Sequence, residues 1–364
     1  MLSRLSDEQF KCFLKESDAA QWKKHPAVVG DTLLELFKQG KPQNINIYSS
    51  RCIWVRMFDI EDYSDVDPLP LTQDVTNEEE LCRIMYSDEY KQVMSLMRRM
   101  IAKDELSVRA LRLNSKAIEL SPAFYTAWNY RFRIIEHLLK EENLLQESHD
   151  ASYLLNKELD WLDEFTLNNP KNYQIWSYRQ AVLTQLHPHA TFSREHPIMD
   201  LMLDDDSKNY HVWSYRNWCC SHFKTYGEEM GFTERFIKRD VYNNSAWSYR
   251  FSMLKHCDVD LNTELQFVME KIEYVPQNIS TWNYLGGLLE MMGTPDDLVN
   301  KLLEFSKKYM DESAFAYEFY ARMSKLSGNC KPWDLSLIYS RLSDVDPIRN
   351  NWWCRKALQA KQDQ

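Results

Sequence analysis

The chain has 364 residues, enough for a large core, and a net charge of −10 from 44 basic and 54 acidic residues. That balance disfavours a general nucleic-acid binder, which needs a basic face against phosphate. The absence of any long apolar run argues against membrane insertion, and eight cysteines without a CxxC pair argue for free thiols in a reducing, cytoplasmic setting.

Residues 1–56 share no pattern with the rest and form an N-terminal extension without an assigned role, with Met57 as a second candidate start. Within them Ser6-Asp7-Glu8-Gln9-Phe10 reads as a helix start, and Asp31 to Lys38 as a short amphipathic helix. Residues 57–78 form an extended acidic segment, and its proline-bound run from Asp62 to Pro70 is expected to be non-helical. Residues 79–364 are expected to form one helical-repeat domain. Leu81 to Tyr86, Tyr90 to Lys103 and Glu105 to Leu120 each carry an apolar stripe at three-to-four spacing. Glycine is scarce, 8 of 364, and strand alternation is hard to find, so the fold class is all-α.

A repeat then takes over. Trp128, Trp176, Trp213, Trp247, Trp282, Tyr317 and Trp353 are separated by 48, 37, 34, 35, 35 and 36 residues. Proline stands six before the aromatic at Pro122, Pro170, Pro276 and Pro347, and asparagine four before it at Asn172, Asn209, Asn243 and Asn278. Arginine stands three after it at Arg131, Arg179, Arg216 and Arg250, whereas Trp282 is followed by Leu285. A period in the mid-thirties is the mark of stacked two-helix units, so the architecture expected is a right-handed α-α superhelix of about seven helical hairpins forming a crescent. In the second unit Leu154 to Leu167 is the first helix, Asn168-Asn169-Pro170 the turn, and Tyr173 to Leu186 the second helix. The first interval is longer because Lys140 to Ser152 adds a polar loop. Proline stops the first helix and asparagine caps the second. Tryptophan fills the seam between hairpins, and arginine, one turn later on the same face, reaches a carbonyl or carboxylate of a neighbouring unit.

Two consecutive units carry Lys171-Asn172-Tyr173 and Lys208-Asn209-Tyr210 at predicted helix N-termini, where exposed N–H groups and the helix dipole favour an anion. Tyr125 holds the matching place one unit earlier. These residues support two readings: ordinary capping beside a solvated lysine, or a cationic, aromatic rim that receives an anion. Asp204-Asp205-Asp206 reads as an acidic turn complementing a helix N-terminus rather than a magnesium site. Cys219-Cys220 read as buried helix residues, and His187 and His189 as a solvated loop pair. The chain shows no nucleophile with an adjacent base, no phosphate loop and no catalytic carboxylate pair, and no metal site is expected on it.

Pro170-Lys171-Asn172-Tyr173-Gln174-Ile175-Trp176, Lys208-Asn209-Tyr210-His211-Val212-Trp213, Asn243-Asn244-Ser245-Ala246-Trp247 and Val275-Pro276-Gln277-Asn278 resemble the repeats of protein prenyltransferase α subunits. The stretch Asp62-Tyr63-Ser64-Asp65-Val66-Asp67-Pro68-Leu69-Pro70 resembles the N-terminal segment of the α subunit shared by farnesyltransferase and type I geranylgeranyltransferase, in a yeast-like form. The resemblance runs from about Met57 to the C-terminus. It implies a heterodimer whose β subunit holds a catalytic zinc, with magnesium assisting the diphosphate, and a reaction that transfers a farnesyl or geranylgeranyl group to the cysteine of a C-terminal CaaX motif. It further implies that Lys171 and Tyr173 act in catalysis, and that Asn209, Tyr210 and His211 lie with Lys171 near the prenyl diphosphate. Gln174, Tyr125 and Asn172 would meet the CaaX peptide. Two other readings share the period: a non-catalytic scaffold of the tetratricopeptide kind, and the α subunit of a Rab-type transferase.

Overall fold

Short polar side chains set the helix starts. Ser87 accepts from the Tyr90 amide, Ser107 from Ala110, Asn172 from Ile175, Asn243 from Ala246 and Asn278 from Ser280, each satisfying an N–H that the first helical turn leaves without a partner. The computed structural model describes residues 59–71, 84–141, 148–187, 189–327 and 332–362. The helices expected at Ser6 and over 31–38 therefore lie outside the described residues.

Among the described residues there are fifteen α-helices and no strand. They are α1 (Asp88–Ala102), α2 (Val108–Leu120), α3 (Tyr125–Glu141), α4 (Ser148–Asn168), α5 (Tyr173–Gln185), α6 (Phe192–Asp205), α7 (Tyr210–Phe223), α8 (Glu229–Arg239), α9 (Asn244–Met253), α10 (Leu261–Tyr274), α11 (Ile279–Met292), α12 (Asp296–Lys307), α13 (Ala314–Leu326), α14 (Pro332–Val345) and α15 (Asn350–Gln362). In chain order, α2 to α15 fall into seven pairs, and the recurring aromatic lies in the second helix of each. The chain divides into two compact units, one ending at Met202 and one beginning at Leu203.

The aromatic and the arginine build one kind of seam between successive pairs. In the first unit Trp128 packs on Tyr178 with ring centroids 5.2 Å apart, and in the second Trp213 on Tyr249 at 5.1 Å and Trp247 on Tyr284 at 5.0 Å. Beside each tryptophan a buried arginine clasps a buried glutamate from the first helix of the next pair. Arg131 donates to Glu158 at 2.6 and 2.7 Å, Arg216 to Glu229 at 2.8 and 2.7 Å, and Arg250 to Glu264 at 2.7 and 2.7 Å. Arg179 does the same with Glu195 and also pairs with Asp163. The tyrosine two after the next tryptophan completes the group: Tyr178 donates to Glu158 at 2.8 Å, Tyr249 to Glu229 at 2.5 Å and Tyr284 to Glu264 at 2.6 Å. An aromatic ring faces three of the guanidinium planes: Trp161 under Arg131, Phe232 under Arg216 and Phe267 under Arg250. A buried ion pair is tolerated best when its remaining polar atoms are bonded: Arg131 also donates to Ser115, and Arg250 to the Met230 carbonyl and Thr233. Of the two partner types expected for the arginine, the carboxylate recurs in each of these seams, and Arg250 also donates to the Met230 carbonyl at 2.7 Å.

Three expected elements differ. Residues 84–87 are not helical, because Ser87 with Asp88 and Glu89 behind it is a stronger helix start than the apolar stripe before it. Helix α4 begins at Ser148, inside the stretch expected to be loop. The packed stripe of Leu155, Glu158, Leu159 and Leu162 nucleates the helix, and extending it backwards is then cheap. Asp62 and Tyr63 belong to a short 3-10 turn, Ile60–Tyr63, within the run expected to be non-helical. That run is moored to the first helices. Tyr63 is buried and donates to the Arg109 carbonyl at 2.8 Å, Arg109 pairs with Asp65 at 2.7 Å, and the Leu69 amide donates to the Ser95 carbonyl at 3.0 Å.

Candidate functional site

The turn between the two helices of a pair is held by one backbone carbonyl with two donors. In the first unit Pro122 O accepts from the Trp128 indole at 2.8 Å and from Asn172 Nδ2 at 2.8 Å. In the second unit Ser207 O accepts from Trp213 and Asn243, both at 2.9 Å, and Val241 O from Trp247 at 2.8 Å and Asn278 at 2.7 Å. A carbonyl has two lone pairs, and both are used. The asparagine is therefore more than a cap, since its oxygen starts its own helix while its amide nitrogen ties that helix to the preceding turn. Trp353 departs from the pattern and donates to the Asp346 carboxylate at 2.9 Å.

On this frame the first Lys-Asn-Tyr turn takes shape. Lys171 is exposed, one residue before the Asn172 cap of α5, and no acidic side chain occupies the first turn of that helix. Tyr173 follows, half-exposed, and meets Tyr125 edge-on with ring centroids 6.3 Å apart. The neighbouring Tyr125 side chain raises the pKa of the Tyr173 phenol above its ordinary value. Gln174 is buried and donates from Nε2 to the Ala123 carbonyl at 3.0 Å. One of its two amide hydrogens is thus committed inside the chain. The structure brings Tyr125, Asn172, Tyr173 and Gln174 together at one pair of turns. On α4, which leads into this turn, Glu164 is pushed up to about 7 by burial, then by the charges of Asp160 and Asp163.

The second turn lies in the other unit. Lys208 pairs with Asp240 at 3.0 Å, and its backbone N–H donates to Asp206 Oδ1 at 3.0 Å. Asn209 is fully buried and accepts from the His211 amide at 3.2 Å, which makes it a positioning group rather than a surface contact. Tyr210 is exposed and lies against His211, ring centroids 4.0 Å apart.

The remaining candidates settle into structural places. Asp204 pairs with Arg239 at 3.1 Å. Cys219 and Cys220 are fully buried, and burial pushes the Cys220 thiol up to about 11, which removes its thiolate at neutral pH. His187 is a correction: it is buried rather than solvated, lies 3.4 Å from Asn156 Oδ1, and burial holds its pKa below the usual imidazole value. Among the described residues no three histidine, cysteine, aspartate or glutamate side chains gather as a metal ligand set. No helix among them is long and apolar enough to cross a membrane. The sequence reading missed the seam glutamates. Glu158, Glu195, Glu229 and Glu264 each stand eighteen residues before the next tryptophan, and that offset was available as a signal.

The protein prenyltransferase alpha subunit repeat matches residues 108–138, 155–186, 192–223, 226–257 and 261–292. The chain is 38% identical over 313 residues to the protein farnesyltransferase/geranylgeranyltransferase type-1 subunit alpha of Candida albicans, covering 80% of this chain and 95% of that one. It is 39% identical over 254 residues to the subunit of the same description from Schizosaccharomyces pombe, covering 68% of this chain and 80% of that one. Among solved structures, Candida albicans protein geranylgeranyltransferase-I complexed with GGPP superposes with a TM-score of 0.72 at 34% identity, over 84% of this chain and 99% of that one.

Proposed function

The chain belongs to the protein prenyltransferase α subunits, in the farnesyltransferase/geranylgeranyltransferase type-1 branch, and we propose that the helix starts around Lys171 and Tyr173 are where it takes part in transfer. In this reading a β subunit is the partner, and farnesyl or geranylgeranyl diphosphate and proteins ending in CaaX are the substrates. Attack by the cysteine thiolate on C1 of the donor forms a C–S bond as the C1–O bond breaks, and the bonding electrons leave with inorganic diphosphate. The charge that grows on the bridging oxygen needs fixed positive charge, and Lys171 supplies it at a helix start that already favours anions. Tyr173, protonated, donates to the same region, and Asn209, Tyr210 and His211 are assigned to the neighbourhood of the diphosphate. Gln174 keeps one amide hydrogen for the peptide carboxylate, with Tyr125 and Asn172 beside it.

Zinc and magnesium find no ligand set among this chain's described residues, and the reading leaves zinc to the partner subunit and magnesium to the diphosphate. The chain's own share is electrostatic and positional. Buried free thiols at Cys219 and Cys220 favour a cytoplasmic setting.

The observation that carries the proposal is an exposed lysine at a helix start, next to a tyrosine pair whose rings meet edge-on. Co-expression with a β subunit, followed by an assay with labelled farnesyl and geranylgeranyl diphosphate and a CaaX-ending peptide, tests it. Transfer without an escort protein is the expected result. No transfer would favour a scaffold, and an absolute need for an escort protein would favour the Rab-type class.

A further inference from the structure

We propose that the outer face of α15 is a docking surface for an anionic lipid membrane, on which the chain lies without spanning it. The inference is independent of the roles given to Lys171 and Tyr173.

Helix α15 buries Trp353, Ala357 and Ala360 on one side. Its other side is not the polar face that such a helix ordinarily turns to water. Ile348, in the turn just before the helix, is 95% exposed, Trp352 49% and Leu358 61%. Trp352 stands four residues after Ile348, Arg355 three after Trp352, and Leu358 three after Arg355. At that spacing the three apolar side chains and the arginine follow one another along a single exposed ridge. An apolar patch left on a surface marks a site of interaction.

Charge decides the kind of partner. The helix carries Arg355, Lys356 and Lys361 and no acidic residue, in a chain of net charge −10. Lys356 Nζ lies 5.0 Å from the centroid of the Trp352 ring, so a cation and an indole are already paired at the surface. Residues 332–362 hold five basic residues and three acidic ones, and two of those acids are engaged. Asp344 pairs with Arg341 at 3.9 Å, and Asp346 holds both Arg349 and the Trp353 indole. None of the three cations of α15 meets a carboxylate among the described residues. The occupant is therefore anionic. An acidic protein would need a groove to receive its side chains, whereas this face is a convex ridge, around which a bilayer surface deforms. Indole and aliphatic side chains interleaved with lysine and arginine settle at headgroup level, rings toward the acyl boundary and cations toward phosphate.

The test is flotation of the chain, co-expressed with a β subunit, on vesicles of phosphatidylcholine alone and of phosphatidylcholine with phosphatidylserine. Binding to the phosphatidylserine vesicles, weakened by added salt, is expected, with little on phosphatidylcholine alone. Arg355→Gln and Lys356→Gln should each lower vesicle affinity about 5-fold, the effect of one lost cation near an anionic surface, and Leu358→Ser should lower it as well. The thermal unfolding midpoint should stay the same in all three, which separates lost binding from lost folding. Wild-type complex that fails to float with phosphatidylserine vesicles would overturn the proposal and leave the face to an acidic protein or to the β subunit. Equal binding to both vesicle types, or unchanged binding in Arg355→Gln and Leu358→Ser, would overturn it too.

Discussion

Four seams between helix pairs are ionic, and the one after Trp282 is apolar. Where the others hold arginine, glutamate and tyrosine, the corresponding places carry Leu285, Val299 and Phe319, all buried. The offsets are the same: three after Trp282, eighteen before Tyr317 and two after it. Trp282 still packs on the substitute ring, its centroid 5.4 Å from that of Phe319. All three polar groups are replaced together. A buried charge without its partner is costly, whereas an apolar trio of suitable shape carries no desolvation penalty at all. The comparison teaches that the seam is a unit, ionic or apolar as a whole, and that the tryptophan and the aromatic ring packed against it are common to both kinds.

Splitting a seam should have the largest effect on stability. Arg216→Leu leaves Glu229 buried and unpaired and should cost about 3–5 kcal/mol. Adding Glu229→Val and Tyr249→Phe copies the apolar seam and should recover most of that loss. Thermal unfolding of the heterodimer reads both, and a triple variant no better than the single one would break the comparison. Removing only the hydroxyl, by Tyr249→Phe, should cost about 2 kcal/mol, the worth of a hydrogen bond to a charge. Burial, then the Glu229 charge, raises the folded-state pKa of Tyr249, so its contribution is complete below the unfolded tyrosine value near ~10 and is lost as pH climbs beyond it. Tyr249→Phe should accordingly flatten the alkaline decline in stability.

A carboxylate outside the seams should show the opposite economy. Glu164 lies on the same helix as Glu158 but takes a raised pKa of about 7 from burial and its acidic neighbours. A raised carboxyl value means stability is complete below the unfolded value near ~4.3 and falls as pH rises through 7. Glu164→Gln should therefore gain about 1 kcal/mol at pH 8 and nothing at pH 4, as read by unfolding at the two values. A loss at pH 8 would show that the charge is needed.

The tryptophans were legible because a large ring at fixed spacing has few other uses, and the asparagine caps because a helix start needs a short oxygen. The arginine showed its existence but not its partner. Glu229 lies on a different helix from Arg216, thirteen residues away, and helix-face arguments reach only three or four residues. The doubled Lys-Asn-Tyr looked like one motif written twice. The residue two before the tryptophan makes the copies differ: it is Gln174 in the first and His211 in the second, and Tyr210 leans on the His211 ring.

The central claim is that Lys171 receives charge that develops as the diphosphate leaves. The direct measurement is the single-turnover rate of prenyl transfer by the heterodimer carrying Lys171→Ala, with donor affinity measured in parallel. A fall of about 10²–10³-fold in rate, with donor affinity little changed, is the predicted result. An unchanged rate, or a loss confined to donor affinity, would contradict it.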